Sequence, residues 1–284
     1  LLRELEVPGG ALAAAVRTRV VNSNAGVASG DAARPHAAWR SLAEIFKPRI
    51  GFEIMLAGVA GVAMARGAGL STGALLTLAA SIFVAAWSAG ALNHVAERDL
   101  DARMSRTRSR PFVTGALAGD TRWYLLIAAL LVAAVTAAGW ATNWLAAAYV
   151  FLGAFTYGVV YTLWLKRRTW MNIVIGGLAG SFAVLAGAAA IDPMPGATAW
   201  VFAVVLFLWT PPHFWSLAMY YRQDYADAGV PMLPVVFGDR VAARVIFWHT
   251  VPLVLVSLLP LALGAGWIYG VGAVTGGAYF LKRT

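Results

Sequence analysis

The sequence contains no cysteine and little charge for its length. None of its 284 residues is cysteine, so disulfide bonds and thiolate metal sites are excluded. Asp, Glu, Lys and Arg together make up only 12% of the chain, whereas they make up roughly 25% of an ordinary soluble domain. Because 60% of the residues are hydrophobic and the mean hydropathy is +0.71, the chain can neither cover a soluble globule with polar surface nor remain disordered. This composition predicts a polytopic helical membrane protein.

Eight apolar runs are candidates for membrane spans, since about 20 mostly apolar residues cross a bilayer core as a helix. The runs are continuous and rich in Ala, Gly and Leu, whereas the strands of a membrane β-barrel would alternate in segments of about ten residues. We therefore expect an all-α transmembrane bundle. The runs cover residues 50–66, 73–97, 123–140, 143–164, 171–191, 198–221, 244–264 and 267–281. Close helix contacts are expected at Gly176, Gly177, Gly180 and Gly187.

The positive charge of the chain falls almost entirely on one side of this expected bundle. The chain has 22 Lys and Arg against 13 Asp and Glu, a formal charge of +9, which in a soluble protein would suggest a nucleic-acid partner. Threaded through eight spans, every basic residue except Arg66 lies on the side of the N-terminus, and the positive-inside rule makes that side cytoplasmic. The long charged loops on that side are expected to carry the functional site, and no nucleic-acid partner is expected.

Residues 1–40 differ from the rest and are expected to form a basic, poorly ordered N-terminal extension, with residues 41–284 as a single transmembrane domain. The extension lacks the apolar core of about 7 to 15 residues found in a secretory signal. Its acidic residues Glu4, Glu6 and Asp31 argue against a mitochondrial transit segment. The chain does not begin with Met and its last apolar run is short, which leaves open a missing piece at either end.

A row of polar side chains begins in the last turns of the second span and continues beyond it. Asn93, Glu97 and Asp101 are spaced i, i+4, i+8, so on a helix they share one face and extend about 12 Å along it. Carboxylate and amide oxygens suit Mg²⁺, which takes few carboxylates and completes its shell with water and phosphate oxygens. Four arginines suited to anchoring phosphate come immediately afterwards: Arg103, Arg106, Arg108 and Arg110. The pattern favours a site for a metal and a diphosphate; a salt-bridged loop with topology-setting arginines is the alternative.

A second acidic pair follows the sixth span. Asp224 and Asp227 are spaced i, i+3 and would face the same way on a helical turn. Beside the first row they would hold a second Mg²⁺ across a diphosphate, whereas alone they are typical of a solvated loop. The basic run Lys166-Arg167-Arg168 is a third element, either a phosphate contact or a set of topology charges.

The sixth span contains a polar interruption, Pro211-Pro212-His213. Two prolines remove backbone donors and predict a kinked or broken helix there. A histidine within a span is costly and is therefore a functional candidate, unless it bonds to a carbonyl that the prolines free. Asn172, at the start of the fifth span, is either a helix cap or a site residue.

Taken together, these segments resemble the UbiA-type superfamily of intramembrane prenyltransferases. That superfamily carries an acidic Asn-x-x-x-Asp-x-x-x-Asp motif after its second helix and a second acidic motif after its sixth. Within it, the similarity is greatest to the branch that farnesylates protohaem IX, the haem O synthases. The resemblance covers about residues 41–265 and rests on segments at 47–50, 93–111, 165–169, 172–177, 211–215 and 224–234.

The resemblance implies a Mg²⁺-dependent transferase that moves the farnesyl group of farnesyl diphosphate to a vinyl group of protohaem IX, giving haem O. It implies an integral protein of the bacterial inner (plasma) membrane, in contact with lipid, with its N-terminus and site loops cytoplasmic and a haem-handling membrane protein as an expected partner. The catalytic residues it implies are Asn93, Asp101 and Asp224. The metal ligands it implies are Asn93, Glu97, Asp101, Asp224 and Asp227. The substrate-binding residues it implies are Arg106, Arg110, Lys166, Arg167, Asn172 and His213.

Three departures from the family pattern qualify this expectation. Glu97 stands where the pattern usually has Asp, which lengthens the ligand by one methylene. Residues 181–185 read Ser-Phe-Ala-Val-Leu where the haem branch usually has a Pro-Pro-containing stretch, and eight spans are counted where the family usually has nine. The altered stretch keeps open a related prenyltransferase that acts on a quinone precursor or a chlorin. A transporter or membrane assembly subunit is the alternative of a different class, and Glu53, inside the first span, has no role in any of these interpretations.

Overall fold

Long apolar helices make up most of the structure, a computed structural model that describes residues 35–283 and the side chains of residues 40–283. No β-strand occurs among these described residues. The N-terminal extension expected for residues 1–40 falls largely outside them. From Ser41 onward the chain forms one compact unit.

The helices are numbered in chain order, and one π-helical segment continues α7 directly. They are α1 (Pro35–Phe46), α2 (Pro48–Met64), α3 (Thr72–Ala96), α4 (Arg98–Asp101), α5 (Pro111–Thr114), α6 (Thr121–Ala141), α7 (Trp144–Phe155), the π-helical segment (Thr156–Leu165), α8 (Asn172–Gly176), α9 (Leu178–Ile191), α10 (Ala197–Tyr220), α11 (Arg222–Asp227), α12 (Leu233–Phe237), α13 (Asp239–Ala262) and α14 (Trp267–Arg283).

Six helical stretches in the described part of the chain are long and apolar enough to cross a membrane. They are α3, α6, α7 with the π-helical segment, α8 with α9, α10, and α13. The helices α2 and α14 are each 17 residues long and coincide with the two remaining runs expected from the sequence. The all-α transmembrane class is therefore confirmed, and the count of eight spans stays a prediction.

The outer surfaces of the bundle are apolar, as a surface that meets lipid should be. Large side chains point outward along most of the long helices, and Trp140 and Trp267 are 81% and 76% exposed. These two tryptophans lie at the end of α6 and at the start of α14. Tryptophan is enriched where helices leave a membrane, so both positions fit a membrane boundary.

Glycines let α2 and α9 pack backbone to backbone. A Cβ atom on Gly187 would lie 1.8 Å from the carbonyl oxygen of Gly58, and one on Gly61 would lie 2.1 Å from the carbonyl oxygen of Val184. Small residues permit this approach between membrane helices. Of the glycines expected to make close contacts, Gly187 does so, whereas a Cβ on Gly180 would meet nothing within 4 Å.

The stretch 181–185, where the sequence departs from the family pattern, lies inside α9 and is packed. Ala183, Val184 and Leu185 are at most 5% exposed. The Ser181 hydroxyl donates to the carbonyl of Ala203 on α10 at 2.7 Å. The departure therefore falls within the contacts that hold α9 in the bundle.

The helix α10 runs unbroken through Pro211 and Pro212, so the break considered for this point does not occur. A proline leaves the carbonyl four residues earlier without its helical donor. For Pro212 that carbonyl belongs to Leu208, and the His249 ring on α13 lies near enough to interact with it.

Candidate functional site

The end of α3 and the short helix α4 carry the polar row Asn93, Glu97 and Asp101. The backbone bonds from Glu97 N to Asn93 O (3.1 Å) and from Asp101 N to Glu97 O (2.8 Å) continue the helical pattern across the junction. The three side chains consequently keep the shared face that their spacing predicts. They are only 4%, 1% and 3% exposed, and two buried carboxylates are costly unless charged partners meet them.

A basic side chain from elsewhere in the chain holds each member of this row. The pairs are Lys47 Nζ to Asn93 Oδ1 at 2.9 Å, Lys166 Nζ to Glu97 Oε2, and Arg110 Nη1 to Asp101 Oδ2 at 2.6 Å. Asn93 Nδ2 also donates to Glu97 Oε2 at 2.6 Å, which orients the amide with its oxygen toward the ammonium. These contacts bring the segment before α2, the end of α3 and the end of the π-helical segment to one end of the bundle.

The π-helical segment presents further polar groups to the row. Tyr157 OH accepts from Lys47 Nζ at 3.4 Å, and Thr162 Oγ1 accepts from Asn93 Nδ2 at 3.3 Å. Hydrogen bonds between residues five apart, such as the one that Lys166 N donates at 2.9 Å, bring residues at that spacing onto one side. Helices of this type are rare and frequently occur at functional sites. Nothing in the sequence pattern signals this segment.

Lys47 is a site residue that the sequence reasoning did not assign. It adopts a φ of 48°, the only positive φ of a non-glycine residue in the described part of the chain, and it directly precedes Pro48, the first residue of α2. Such a backbone is uncommon outside glycine. Burial, followed by repulsion from Arg110 and Lys166, lowers the pKa of Lys47 to about 7. The only sequence signal for it is the Lys-Pro-Arg segment of the family resemblance.

Asp224 contacts the loop that follows the first row. Its Oδ2 accepts from Ser105 Oγ at 2.8 Å and from the backbone N–H of Arg106 at 3.4 Å. The hydrogen bond from Ser105 holds the pKa of the Asp224 carboxyl below its ordinary value. The Arg106 guanidinium lies over the Tyr221 ring, 5.3 Å from its centre. The first and second acidic segments therefore meet through the arginine-rich loop.

Two other residues expected at the site lie in exposed pairs. Asp227 accepts from Gln223 Nε2 at 2.7 Å, away from the partners of Asp224. Arg167 makes a two-pronged contact with Asp99, at 2.7 and 2.8 Å. This hydrogen-bonded pair lowers the pKa of Asp99 and raises that of Arg167. Neither pair belongs to the buried row.

Asn172 lies beside the loop that presents Lys166. It is completely buried, and its Nδ2 donates to the carbonyl oxygen of Lys166 at 3.4 Å. Its Oδ1 has no hydrogen-bond partner among the described residues. Asn172 thus supports the backbone of a row-binding lysine, and its role in substrate binding stays a prediction.

His213 lies apart from the row, on the exposed side of α10. Its ring stacks on Trp209 with 4.4 Å between ring centres, and it is near enough to Glu53 on α2 to interact with that charge. Glu53 itself pairs with Arg49 at 3.3 Å, one helical turn earlier. The acid in the first span therefore has a local partner, and the structure shows no contact of His213 with the acidic row.

The row suits a divalent cation, but few of its side chains could coordinate the cation. Glu97 Oε1 is buried and has no hydrogen-bond partner within the described part of the chain, so one carboxylate oxygen is open to a cation. Among the side chains of residues 40–283, no three His, Asp or Glu residues lie close enough to hold one metal ion between them. The ligands expected from the sequence are thus not gathered into one cluster. Mg²⁺ is compatible with such a site because it uses few carboxylates together with water and substrate phosphate oxygens.

This chain is similar in sequence and in fold to proteins of a known family. A model of the UbiA prenyltransferase family matches residues 54–284. In Paramagnetospirillum magneticum, protoheme IX farnesyltransferase 2 is 52% identical over 243 residues, which cover 86% of this chain and 84% of that protein. Protoheme IX farnesyltransferase 1 of the same organism is 47% identical over 244 residues, 86% of each chain.

Among solved structures, a UbiA homolog from Archaeoglobus fulgidus bound to DMAPP and Mg²⁺ has a TM-score of 0.72. The two share 17% sequence identity, and the match covers 86% of this chain and 85% of that one. At that level of identity the likeness shows the fold.

Proposed function

This chain belongs to the UbiA prenyltransferase family, and from that premise we propose that it transfers the farnesyl group of farnesyl diphosphate to a vinyl group of protohaem IX, giving haem O. The chain is a prenyl transferase and an integral membrane protein. The similarity to the two protoheme IX farnesyltransferases carries the choice of substrates. The geometry of the polar row supports the diphosphate half of the reaction.

The basic side chains around the row are suited to binding a diphosphate. Arg110 and Lys166 lie against Asp101 and Glu97, and Arg106 follows in the loop that contacts Asp224. Guanidinium and ammonium groups bind phosphate oxygens through strong, charge-assisted hydrogen bonds. These groups would bind the diphosphate before the reaction and stabilise the charge that grows on it as it departs.

The acidic row would hold the metal that accompanies the diphosphate. Mg²⁺, when bound, would neutralise part of the charge on the leaving diphosphate. Asn93, Glu97 and Asp101 are its proposed ligands, with Asp224 as a ligand from the second acidic segment. The buried, unpartnered Glu97 Oε1 supports this role, and the Archaeoglobus fulgidus homolog holds Mg²⁺ together with DMAPP.

The proposed reaction balances without a further reagent except water. The bond between C1 of the farnesyl group and the diphosphate oxygen breaks, and its electron pair leaves with the diphosphate. The π electrons of the haem vinyl group form the new carbon–carbon bond with the allylic cation. Water then adds to the cationic vinyl carbon and loses a proton, which leaves a hydroxyl group. The apolar helices around the row would shield the allylic cation from bulk water until the vinyl group attacks.

The location of the protein is proposed from its charge pattern. The charged segments that meet at the row would face the cytoplasm of a bacterium, and the apolar outer surfaces would lie in its inner membrane. A membrane partner that delivers haem stays a prediction.

The acceptor is tested by competition. Purified protein in lipid nanodiscs would receive farnesyl diphosphate and Mg²⁺ with an equimolar mixture of protohaem IX, a quinone precursor and a chlorin. We expect the farnesyl group on protohaem alone, read by mass spectrometry. Prenylation of the quinone precursor or of the chlorin instead of protohaem would show that protohaem is not the acceptor. The protein would still be a prenyl transferase.

A further inference from the structure

Lys47 is a partly buried cation that forms no ion pair with a carboxylate. Its Nζ donates to Asn93 Oδ1 at 2.9 Å and contacts Tyr157 OH at 3.4 Å, and both acceptors are neutral. Among the side chains of residues 40–283, no Asp or Glu forms an ion pair with it. A charge that is partly removed from water is ordinarily paired with an opposite charge, whereas Lys47 has no counter-anion within ion-pair distance.

The charges around Lys47 show the same imbalance. The two carboxylates of the row, Glu97 and Asp101, are each taken by another cation, Lys166 and Arg110. Both of these cations lie close enough to repel Lys47, while Glu97 and Asp101 attract it without forming an ion pair. The cluster therefore has three basic groups against two acidic ones, and Lys47 is the basic group without an ion pair.

The position of Lys47 is held by the backbone. The chain passes from α1 to α2 through its left-handed conformation, while Lys47 N bonds to Ala43 O at 3.1 Å and Gly51 N bonds to Lys47 O at 3.1 Å. Non-glycine residues in such conformations cluster at ligand-binding sites, where the surrounding structure keeps them in place. The strained turn directs a cation toward the oxygen of a proposed metal ligand.

We propose that Lys47 is a substrate-binding residue that exchanges partners. In the free enzyme its Nζ occupies Asn93 Oδ1; when a prenyl diphosphate arrives, Nζ moves to a diphosphate oxygen and leaves the amide oxygen open to the divalent cation. The inference rests on the proposed function, because it requires a diphosphate at the row. It adds a ligand from the segment before α2, outside both acidic segments and the basic run at 166–168.

The exchange predicts two effects of opposite sign. Removing the ammonium removes a strong hydrogen bond to the diphosphate, so inorganic diphosphate should bind roughly 10- to 100-fold more weakly. It also removes a like charge from the metal position and uncovers Asn93 Oδ1. A divalent cation without diphosphate should therefore bind more tightly, by about threefold or more. A lysine that only supported the fold would weaken both ligands together.

The experiment uses the whole chain in nanodiscs and two probes. Mn²⁺ alone is titrated by electron paramagnetic resonance, and inorganic diphosphate in the presence of Mn²⁺ is titrated by calorimetry. The variants are Lys47→Met and Lys47→Arg, with Lys47→Gln as the replacement if Lys47→Met does not fold. The matched control is Arg49→Gln, which removes one positive charge from the same segment at a side chain that is 91% exposed.

We expect Lys47→Met to weaken diphosphate binding and strengthen Mn²⁺ binding, Lys47→Arg to keep most of the diphosphate affinity, and Arg49→Gln to match the wild type. If the wild type binds diphosphate and Lys47→Met binds it as well as Arg49→Gln does, the inference about Lys47 is overturned. The proposed diphosphate site would stand. Weaker binding of both probes would assign Lys47 a structural role and would also overturn the inference. A wild type that binds no diphosphate would overturn the proposed site together with the inference.

Discussion

At the scale of single residues, the site is built from buried pairs of opposite charge. Asp101 with Arg110 and Glu97 with Lys166 are almost inaccessible to solvent. Removing one partner of such a pair costs about 3–5 kcal/mol, because the other charge stays buried without compensation. Asp99, in the same helical turn, belongs to a half-exposed pair, and exposed pairs contribute at most about 1 kcal/mol. Neighbouring carboxylates should therefore respond very differently to substitution.

Asp101→Asn should reduce the rate of farnesyl transfer at least about 100-fold, because it removes a charge that orients Arg110 and is proposed to hold the metal. The measurement is the initial rate as a function of Mg²⁺ concentration. Asp99→Asn is the control, and its rate should stay within about threefold of the wild type. Full activity in a folded Asp101→Asn protein would remove this carboxylate from the site.

Asp224→Asn should raise the KM for farnesyl diphosphate roughly tenfold, because it weakens the contacts with Ser105 and the backbone of Arg106 that order the arginine-rich loop. Asp227→Asn should have a smaller effect on KM, about threefold at most. The Asp227 carboxylate accepts a hydrogen bond from Gln223 on the exposed side of the same short helix. Steady-state kinetics on both variants provide the comparison. Equal losses would mean that both carboxylates bind the ligand.

The residues at the site were predictable only where the signal was local. The spacing of Asn93, Glu97 and Asp101 predicts a shared helical face, and the structure has it. The partner of each residue lies far away in the chain, as Lys166 does from Glu97 by 69 positions, and no spacing rule connects such positions. Lys47 was missed for this reason.

At the scale of helices, the contact between α2 and α9 limits what the bundle tolerates. Its backbones touch through glycines, so the first atom of any side chain meets a carbonyl oxygen rather than a flexible group. Apolar length alone predicts where each helix lies. It does not predict which glycines form the contact, because that depends on how the helices rotate against each other.

Gly187→Ala should destabilise the protein by about 1–3 kcal/mol or more, because its methyl group would overlap the carbonyl of Gly58 and push α2 from α9. The measurement is the Tm in detergent, together with the folded yield. Gly180→Ala, on the same helix, is the control and should leave Tm unchanged or slightly higher. A Gly187→Ala protein as stable as Gly180→Ala would contradict the close packing.

The π-helical segment could not be read from the sequence at all. Residues 156–165 are apolar and aromatic, and an ordinary α-helix accounts for that composition equally well. The π-helical geometry is explained by the long-range contacts of Tyr157, Thr162 and Lys166. It brings three polar groups to one side of a membrane helix, where each finds a partner.

At the scale of the whole molecule, the distribution of charge organises the protein. The sequence predicts a membrane bundle with its basic residues on one side, and the contacts among Lys47, Asn93, Lys166 and their neighbours show that these segments meet at one end. Asp224 and Ser105 join the same region. Which side of a membrane this end faces depends on insertion, so the cytoplasmic orientation is a prediction from positive charge alone.

The absence of native cysteine allows this orientation to be tested by single substitutions. Ser109→Cys, in the arginine-rich loop, should react with a membrane-impermeant maleimide only when the cytoplasmic side is exposed. Met194→Cys, between α9 and α10 and 83% exposed, should react only from the opposite side. Intact spheroplasts and inverted vesicles provide the two conditions. Labelling of both positions from one side would contradict the expected topology, in which the two loops lie on opposite sides of the membrane.

The polar row is proposed to bind farnesyl diphosphate with Mg²⁺ and to direct farnesyl transfer to protohaem. The most direct measurement follows the release of diphosphate and the formation of farnesylated haem together, in nanodiscs, with and without chelation of Mg²⁺. We expect one diphosphate to be released for each haem that gains a farnesyl group and a hydroxyl group from water, and we expect no reaction after chelation. Diphosphate release without a farnesylated haem, or haem farnesylation that continues without a divalent cation, would contradict the proposal.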